Sequence, residues 1–344
     1  MILMPLDNVI YLPILFIFLL ILFKKVNLLN ENIIYSKHKS LTKNKISPVI
    51  IGGIYIYFIL FFYFPSNLVN LKIFSFLILL IGLFSDKNLI VNPLTRLLLQ
   101  ISILTSLIFV DGLQIKSISI SFIDILLNYE LINIFLTIFC FLVLINGSNF
   151  LDGLNGLLSG YFILVIFTLL FIDYNNLDVI IENNYHLKFL LIGLIIFTFF
   201  NFLGYSFLGD GGAYLISLLL GYFLIEGYNN NNTISPYFVA LMLWYPAFEN
   251  LFSLIRRLYF KSKVSKPDNY HLHQLIFKFF AKKFSTKNLN SLTSITILFY
   301  NFIIFCLSSN FYYHSKILIG LISINVIIYL FLYFAISKYL VIDK

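Results

Sequence analysis

Amide side chains, one carboxylate and several glycines are concentrated between residues 146 and 160, at the end of a long apolar run. The polar members are Asn146, Asn149, Asp152 and Asn155. Amides donate and accept hydrogen bonds, a carboxylate accepts them or binds a metal, and glycine lets the backbone approach a ligand closely. Polar groups that border hydrocarbon are costly and usually functional. The cluster therefore predicts a site for a polar ligand.

The spacing of this cluster is helical. Asn149, Asp152 and Asn155 recur at every third residue, so neighbouring members share a helical face and could converge on one ligand, although the glycines are expected to break the helix. One of these side chains could simply satisfy open backbone groups at a helix end. That role does not account for all of them.

Three further polar segments interrupt apolar sequence. Asp86 follows an apolar run and, taken alone, would be interpreted as a helix cap. Asp210 stands between glycines that we expect to form a turn. His271 and His273 are two residues apart and share a face only in an extended segment. With Asp268 they could bind zinc, but no further Cys or His accompanies them, which argues against a zinc site.

Long apolar segments must position these residues. The chain is 60% hydrophobic and 11% charged, with a mean hydropathy of +0.95, whereas soluble domains are about 45–50% apolar and about 25% charged. A helical span needs about 20 residues. We identify about eleven such runs, at residues 9–23, 50–64, 68–84, 94–110, 131–145, 157–172, 187–203, 213–228, 234–255, 290–309 and 316–337. They predict an all-α polytopic membrane protein, one bundle of about eleven transmembrane helices that forms a single domain over residues 1–344.

Basic residues predict the orientation of this bundle. They are concentrated before the second run and after the ninth, at Lys24, Lys25, Lys37, Lys39, Lys43, Lys45, Arg256, Arg257, Lys261, Lys263, Lys266, Lys278, Lys282, Lys283 and Lys287. The opposite loops carry Lys72, Lys116, Lys188 and Lys316. By the positive-inside rule the basic loops are cytoplasmic and the N-terminus is outside. The net charge of +8 is then explained by topology and anionic lipid, and no nucleic-acid partner is expected.

All four polar segments fall on the predicted cytoplasmic face. A permeation path would instead carry polar groups through the bilayer midplane. The one-sided placement therefore indicates chemistry at the membrane surface. Gly52 and Gly53, at the start of the second run, are expected to let that span pack closely against its neighbours.

In this order the motifs resemble the polyprenyl-phosphate N-acetylhexosamine-1-phosphate transferases of glycosyltransferase family 4. That family includes the phospho-N-acetylmuramoyl-pentapeptide translocase and the bacterial GlcNAc-1-phosphate transferases. The matching motifs are Asn-x-x-Asn-x-x-Asp-Gly-x-Asn-Gly-Leu at 146–157, Phe-Leu-Gly-Asp-Gly-Gly at 207–212 and His-x-His at 271–273. The resemblance extends from Gly52 to Leu275.

Two positions depart from the usual pattern of that family. Its paired aspartates after the third span read Ser85-Asp86 here, although Arg96 and Gln100 still resemble the basic position and the glutamine that follow. Ala213 stands where many relatives have serine. Asn155 and the His-Leu-His-Gln segment look similar to a branch that often starts O-antigen or other surface-glycan chains.

The resemblance implies a reaction and a set of site residues. N-acetylhexosamine 1-phosphate would pass from a UDP-sugar to polyprenyl (undecaprenyl) phosphate, giving polyprenyl-diphospho-sugar and UMP. The implied catalytic residues are Asp86, Asp152 and Asp210, of which Asp152 and Asp210 would bind Mg²⁺, with Mn²⁺ as a substitute. The implied substrate-binding residues are Arg96, Asn146, Asn149, Asn155, His271 and His273. The glycines beside Asp210 would leave room for the diphosphate.

The resemblance also implies a location and an assembly. The protein would lie in the bilayer of the bacterial inner membrane with its active site facing the cytoplasm, and a homodimer is expected by analogy. A membrane transporter or lipid flippase would share the hydropathy, but the chain shows no internal repeat at half-length and its acidic motifs lie on one face. A catalytically inactive scaffold is suggested only by Ser85.

Overall fold

The structure is a computed structural model that describes residues 6–26, 29, 48–176, 184–231, 233–261, 269–284 and 288–342. Helices make up 82% of the structure, and the strands of its described part are two residues long, which confirms the predicted all-α polytopic membrane fold. The roles predicted for Asp268 and for Lys37, Lys39, Lys43, Lys45, Lys263, Lys266 and Lys287 fall outside these ranges.

Fourteen α-helices and two strands follow one another in the described residues. They are α1 (Leu6–Val26), β1 (Val49–Ile50), α2 (Gly52–Tyr63), α3 (Val69–Asp86), α4 (Pro93–Asp111), α5 (Ser121–Leu127), α6 (Glu130–Leu151), α7 (Leu157–Asn176), α8 (Tyr185–Phe202), β2 (Ser206–Phe207), α9 (Gly209–Asn230), α10 (Pro236–Met242), α11 (Trp244–Tyr259), α12 (Leu272–Lys283), α13 (Leu289–Ser309) and α14 (Ser315–Ile342). A short 3₁₀ turn, Ser66–Leu68, leads into α3.

Each predicted apolar run coincides with a helix or a bent pair of helices. Within the described ranges, nine helices are long and apolar enough to cross a membrane, and the count is ten if α10 and α11, which are bent by 74° relative to each other, form one span. Helix α2 is apolar but has only 12 residues. The hydropathy pattern missed α12, because this short helix mixes apolar residues with lysine and histidine.

Helix α9 is the centre of the bundle. Most of its residues are buried, and it packs against α2, α3 and α6. A Cβ atom added at Gly82 would lie 2.2 Å from the Cα of Gly211, and one added at Gly53 would lie 2.8 Å from the Cα of Gly212. Only glycine fits at such backbone contacts.

These contacts confirm the close packing predicted for Gly53. They also show that one expectation was wrong. Gly211 and Gly212 do not leave room for a ligand, because α2 and α3 fill the space beside them.

The two strands bring the starts of α2 and α9 to the same end of the bundle. They pair in parallel, with Val49 opposite Ser206 and Ile50 opposite Phe207. One residue separates each strand from the helix that follows it. The pairing therefore fixes the chain just before Asp210.

Candidate functional site

Asp210 is a buried carboxylate in the first turn of α9, with 6% of its surface exposed. Its Oδ2 accepts a hydrogen bond from the Ser85 hydroxyl at 2.6 Å, and a guanidinium nitrogen of Arg96 lies 3.4 Å from the same oxygen. Arg96 also donates to the Ser85 hydroxyl oxygen at 2.7 Å. A buried charge is tolerated when it is paired and hydrogen-bonded. Ser85 and Arg96 supply those partners.

Asp86 caps the N-terminus of α9. Its Oδ1 accepts the backbone N–H of Asp210 at 2.9 Å, and its Oδ2 accepts the N–H of Gly211 at 3.2 Å. Gly209 has a φ of +75°, and a Cβ atom there would lie 2.6 Å from Asp86 Oδ2. A carboxylate at a helix N-terminus satisfies open N–H groups and interacts favourably with the helix dipole.

The structure therefore changes two local expectations. Asp86 has the geometry of a cap, but it caps α9 and not α3, the helix to which it belongs. The predicted turn at Gly209–Gly212 is wrong, since these residues form the start of α9. The sequence could not show this, because the capping residue is supplied from a different helix.

One face of α4 connects Asp210 with the amide cluster. Arg96 and Gln100 are one helical turn apart and lie on the same face. Gln100 is 1% exposed, and its Oε1 accepts a hydrogen bond from the Asn146 side chain at 3.4 Å. The acidic and amide motifs, separated along the chain, thus meet at one end of the bundle.

The amide cluster begins on a helix and continues into a turn. Asn146 and Asn149 lie in the last turns of α6, and Asp152 is the C-cap residue of that helix. Helix α6 contains Gly147 and ends at Leu151, two residues before Gly153, so the expected break occurs at the later glycines of the cluster and not at the first. Asn155 lies in the turn, where its backbone N–H donates to Asn290 Oδ1 of α13 at 2.7 Å.

Glu249 is a site residue that sequence reasoning missed. It lies in α11 with 1% of its surface exposed. Its Oε2 is 2.9 Å from His271 Nδ1, and its Oε1 accepts the backbone N–H of Leu272 at 3.0 Å. His273 Nδ1 lies 3.7 Å from the same Oε1. An acidic residue inside a predicted span was the signal that could have identified it.

Both histidines lie against this carboxylate. Their rings are nearly parallel at 5.6 Å, and the ring of His271 lies 4.5 Å from that of Phe150 on α6. His271 is 4% exposed and His273 0%. Burial lowers the pKa of His273, which favours its neutral form. The segment is extended only at His271, because α12 begins at the next residue.

Two lysines from the loops compared in the orientation prediction lie at opposite ends of the bundle. At the site end, Lys24 lies over the ring of Tyr205 at 5.2 Å, next to β2. At the other end, Lys116 donates to the carbonyl of Asn229 at 2.7 Å, where α9 finishes. The membrane face to which each end belongs remains a prediction.

The oxygen ligands around the start of α9 fit Mg²⁺. This ion takes one or two carboxylates and fills its other positions with water and substrate oxygens. The buried Asp210 carboxylate supplies such a ligand, while Asp86 holds the adjacent backbone N–H groups. The described residues contain no group of three or more His, Cys, Asp or Glu that could hold a metal ion. A magnesium ion bound mostly by water and phosphate oxygens does not need such a group. Asp152, the C-cap residue of α6, lies within the amide row and is a second carboxylate to test.

Fold and site together define a polytopic membrane protein whose acidic and amide motifs meet at one end of the bundle. The family model of glycosyl transferase family 4 matches residues 68–228. That range contains the acidic and amide motifs but not Glu249, His271 or His273.

Two relatives support the same assignment. A probable undecaprenyl-phosphate N-acetylglucosaminyl 1-phosphate transferase of Bacillus subtilis is 26% identical over 224 residues, which are 63% of this chain and 60% of the relative. An undecaprenyl-phosphate alpha-N-acetylglucosaminyl 1-phosphate transferase of Thermotoga maritima is 28% identical over 160 residues, 46% of this chain and 47% of the relative. The match thus spans about half to three-fifths of each relative. The chain is thus similar to glycosyl transferase family 4 over residues 68–228, and both relatives carry the name of an undecaprenyl-phosphate N-acetylglucosaminyl 1-phosphate transferase.

Proposed function

We propose that this protein transfers N-acetylhexosamine 1-phosphate from a UDP-sugar to undecaprenyl phosphate, giving undecaprenyl-diphospho-sugar and UMP. The observation that carries the proposal is the buried carboxylate of Asp210, which is held by Ser85 and Arg96 next to the cap formed by Asp86. The names of the two relatives support the same acceptor and the same group transferred.

The reaction brings two anionic groups together. An oxygen of the lipid phosphate attacks the sugar-bearing phosphorus of the UDP-sugar, the bond from that phosphorus to the bridging oxygen breaks, and UMP leaves with the bond electrons. When bound, Mg²⁺, or Mn²⁺ in its place, would offset the charge on the diphosphate. Asp210 would hold the ion. Arg96, one-quarter exposed beside Asp210, would attract a phosphate oxygen.

Asp86 acts in this proposal mainly through the start of α9. By accepting the N–H groups of Asp210 and Gly211 it fixes the backbone that carries the metal ligand. Little help is needed to deprotonate the lipid phosphate at neutral pH, since the second pKa of a phosphate monoester is about 6. A positioning role is therefore sufficient for Asp86.

The amide cluster is assigned to the donor nucleotide. Uracil presents alternating acceptors and a donor, which Asn146, Asn149 and Asn155 can match. Asp152, the C-cap residue of α6, follows Asn149 by three residues and so continues the row that Asn146 and Asn149 begin. His271, held by Glu249 and packed on Phe150, lies next to this row and is assigned to the phosphate or sugar of the donor.

We also propose that the protein lies in the bacterial inner membrane with its site on the cytoplasmic face. In the sequence, most basic residues occur in the loops predicted to share a membrane face with the site motifs, and an excess of lysine and arginine is typical of cytoplasmic loops. A nucleotide-sugar donor is made in the cytoplasm, so this orientation brings the donor and the lipid acceptor to one surface. The product would begin a surface glycan, for example an O-antigen chain.

Release of UMP from purified protein tests the proposed function. The assay contains UDP-GlcNAc, undecaprenyl phosphate and Mg²⁺ in detergent or lipid. We expect UMP to appear only when both substrates are present, with labelled sugar phosphate entering the lipid fraction. A transporter, a flippase or an inactive scaffold would release none, and that result with correctly folded protein would overturn the proposal.

Loss of an amide should weaken binding of the donor. Asn149→Ala and Asn155→Ala are each expected to remove about 1–3 kcal/mol of hydrogen bonding if they leave a polar partner unpaired. The KM for UDP-sugar should rise in both variants while the KM for undecaprenyl phosphate changes less. Asn290 still holds the backbone N–H at position 155, so Asn155→Ala tests the side chain alone.

The matched control is Asn128→Ala, an exposed position at the end of α5. Steady-state kinetics with each substrate varied in turn separates the two KM values. An unchanged KM for UDP-sugar in both site variants would remove the amide cluster from the donor site.

Restoring the acid usual in the family should strengthen the metal site. In Ser85→Asp a second carboxylate would replace the hydroxyl that lies 2.6 Å from Asp210 and 2.7 Å from Arg96. We expect at least wild-type turnover and about a tenfold lower half-saturating Mg²⁺ concentration, equivalent to about 1.4 kcal/mol. Without Mg²⁺ the two like charges repel, so the melting temperature in EDTA should fall.

Ser85→Ala removes the hydroxyl without adding charge, and its half-saturating Mg²⁺ concentration should stay near the wild-type value. Activity and melting temperature are measured across a Mg²⁺ titration for all three proteins. A folded but inactive Ser85→Asp variant would show that position 85 does not face the metal.

A further inference from the structure

Asn201 lies between the two segments that carry the candidate site. It is in the last turn of α8 and is 5% exposed. Its Oδ1 accepts the backbone N–H of Gly156 at 2.5 Å, in the turn after α6. Its Nδ2 donates to the carbonyl of Ser206 at 2.7 Å, in β2. One amide thereby joins the turn that contains Asn155 to the strand that leads into Asp210.

The end of α8 docks on the turn through several neighbouring side chains. Gly156 has a φ of +76°, and a Cβ atom there would lie 2.3 Å from the ring of Phe202. One helical turn before Asn201, the Thr198 hydroxyl donates to Ser159 Oγ at 2.8 Å. These positions share one face of α8. The turn therefore has a fixed place against this helix.

The hydrogen bond from Asn201 to the Ser206 carbonyl fixes β2, the strand that leads into Asp210. Ser206 pairs with Val49 in the parallel ladder, and only three residues separate it from Asp210. Gly209, directly before Asp210, has the left-handed conformation that starts α9 under the Asp86 cap. A displacement of Ser206 would therefore be transmitted to the carboxylate of Asp210.

We propose that Asn201 is a positioning residue that sets the distance between the donor-binding amides and the Asp210 carboxylate. The inference rests on the proposed function, because the donor diphosphate must reach from the amide row to Asp210. An amide is suited to this role, since it accepts with one atom and donates with the other. Aspartate would keep the acceptor for Gly156 and lose the donor for Ser206, and alanine would lose both.

Asn290 provides a matched comparison. It holds the same turn from α13 through the N–H of Asn155, but α13 does not lead to β2. Asn290→Ala should therefore disturb the amide row and leave Asp210 in place. Asn201→Ala should disturb both.

The test compares Asn201→Ala, Asn201→Asp and Asn290→Ala with the full-length wild type. UMP release gives kcat, the KM for UDP-GlcNAc and the half-saturating Mg²⁺ concentration, while titration calorimetry with UDP-GlcNAc and Mg²⁺-dependent melting provide readouts besides activity. Asn290→Ala should raise only the KM and weaken UDP-GlcNAc binding. Asn201→Ala should show these changes and also about a tenfold or larger loss of kcat and weaker Mg²⁺ dependence of melting, as expected when buried backbone groups lose their partners.

Asn201→Asp keeps the contact with Gly156 and removes the one with Ser206, so it tests them separately. Its KM should stay near that of the wild type, because Gly156 keeps its acceptor, while kcat and the response to Mg²⁺ remain impaired. A residue with a purely structural role would lower the melting temperature and the active fraction without moving KM or Mg²⁺ dependence, and that result would overturn the inference.

Two further outcomes are decisive. If Asn201→Ala and Asn290→Ala have the same kcat, the same KM for UDP-GlcNAc and the same half-saturating Mg²⁺ concentration, the inference is overturned while the proposed function stands. If the wild type itself releases no UMP, the proposed function fails. Should Asn201→Ala not fold, Asn201→Asp decides, and wild-type kcat and Mg²⁺ response in that variant would count against the inference.

Discussion

Replacing Asp210 with alanine is expected to reduce turnover at every substrate concentration. The carboxylate is buried at the start of the central helix α9 and has Ser85 and Arg96 as partners. Its proposed role is to hold the ion that offsets charge as the phosphoryl group moves, so its loss acts mainly on the transition state. By comparison with the removal of other preorganised electrostatic groups, kcat should fall on the order of 10²–10³-fold or more.

The measurement is kcat and Mg²⁺ dependence in one lipid for the wild type, Asp210→Ala and Glu130→Gln. Glu130 is an exposed acid at the start of α6, at the opposite end of the bundle, and its variant should behave as the wild type. If Asp210→Ala keeps its turnover and its Mg²⁺ dependence, the metal assignment is wrong. Asp152 would then be the next carboxylate to test.

Asp86→Asn should also remove most of the activity, for a different reason. An amide can accept one of the two N–H groups at the start of α9, but its own NH₂ group then faces the other. The charge that interacts with the helix dipole is lost as well. We expect kcat to fall on the order of 10²-fold, and the unfolding free energy to fall by about 1 kcal/mol, as for other lost caps.

The effect of Asp86→Asn on kcat is measured by UMP release, and its effect on stability is measured by thermal melting in detergent. Asp124→Asn is the stability control, since Asp124 also accepts a backbone N–H, that of Ile118, but at the other end of the bundle. This control should lose stability and keep its turnover. Near-normal turnover in Asp86→Asn would leave Asp86 with a structural role only.

The sequence was sufficient to predict the membrane class, because span length and charge distribution are local properties of the chain. Every apolar run became a helix or a bent pair, and the helix that carries the first part of the amide cluster ended just before Gly153. Helix α12 was missed because its pattern is short and mixed.

The contacts inside the site depended on tertiary packing that sequence does not reveal. Nothing near Asp86 in the sequence indicates that it caps a helix which starts more than a hundred residues later. From the sequence, the glycines after Asp210 could lie beside a ligand or beside another helix. In the structure they pack against the helices α2 and α3. Glu249 belongs to no motif that we recognised, and only its burial against the two histidines assigns it to the site.

The glycine contacts of α9 have a consequence for inhibition and resistance. A methyl group added at Gly82, Gly53 or Gly209 would meet other atoms at less than 3 Å, in most cases backbone atoms or the Asp86 carboxylate. Such positions tolerate almost no substitution without movement of a central helix. A compound whose binding depends on the position of the first turn of α9 would therefore meet few resistance mutations at these glycines, since variants that move this backbone would also damage the fold.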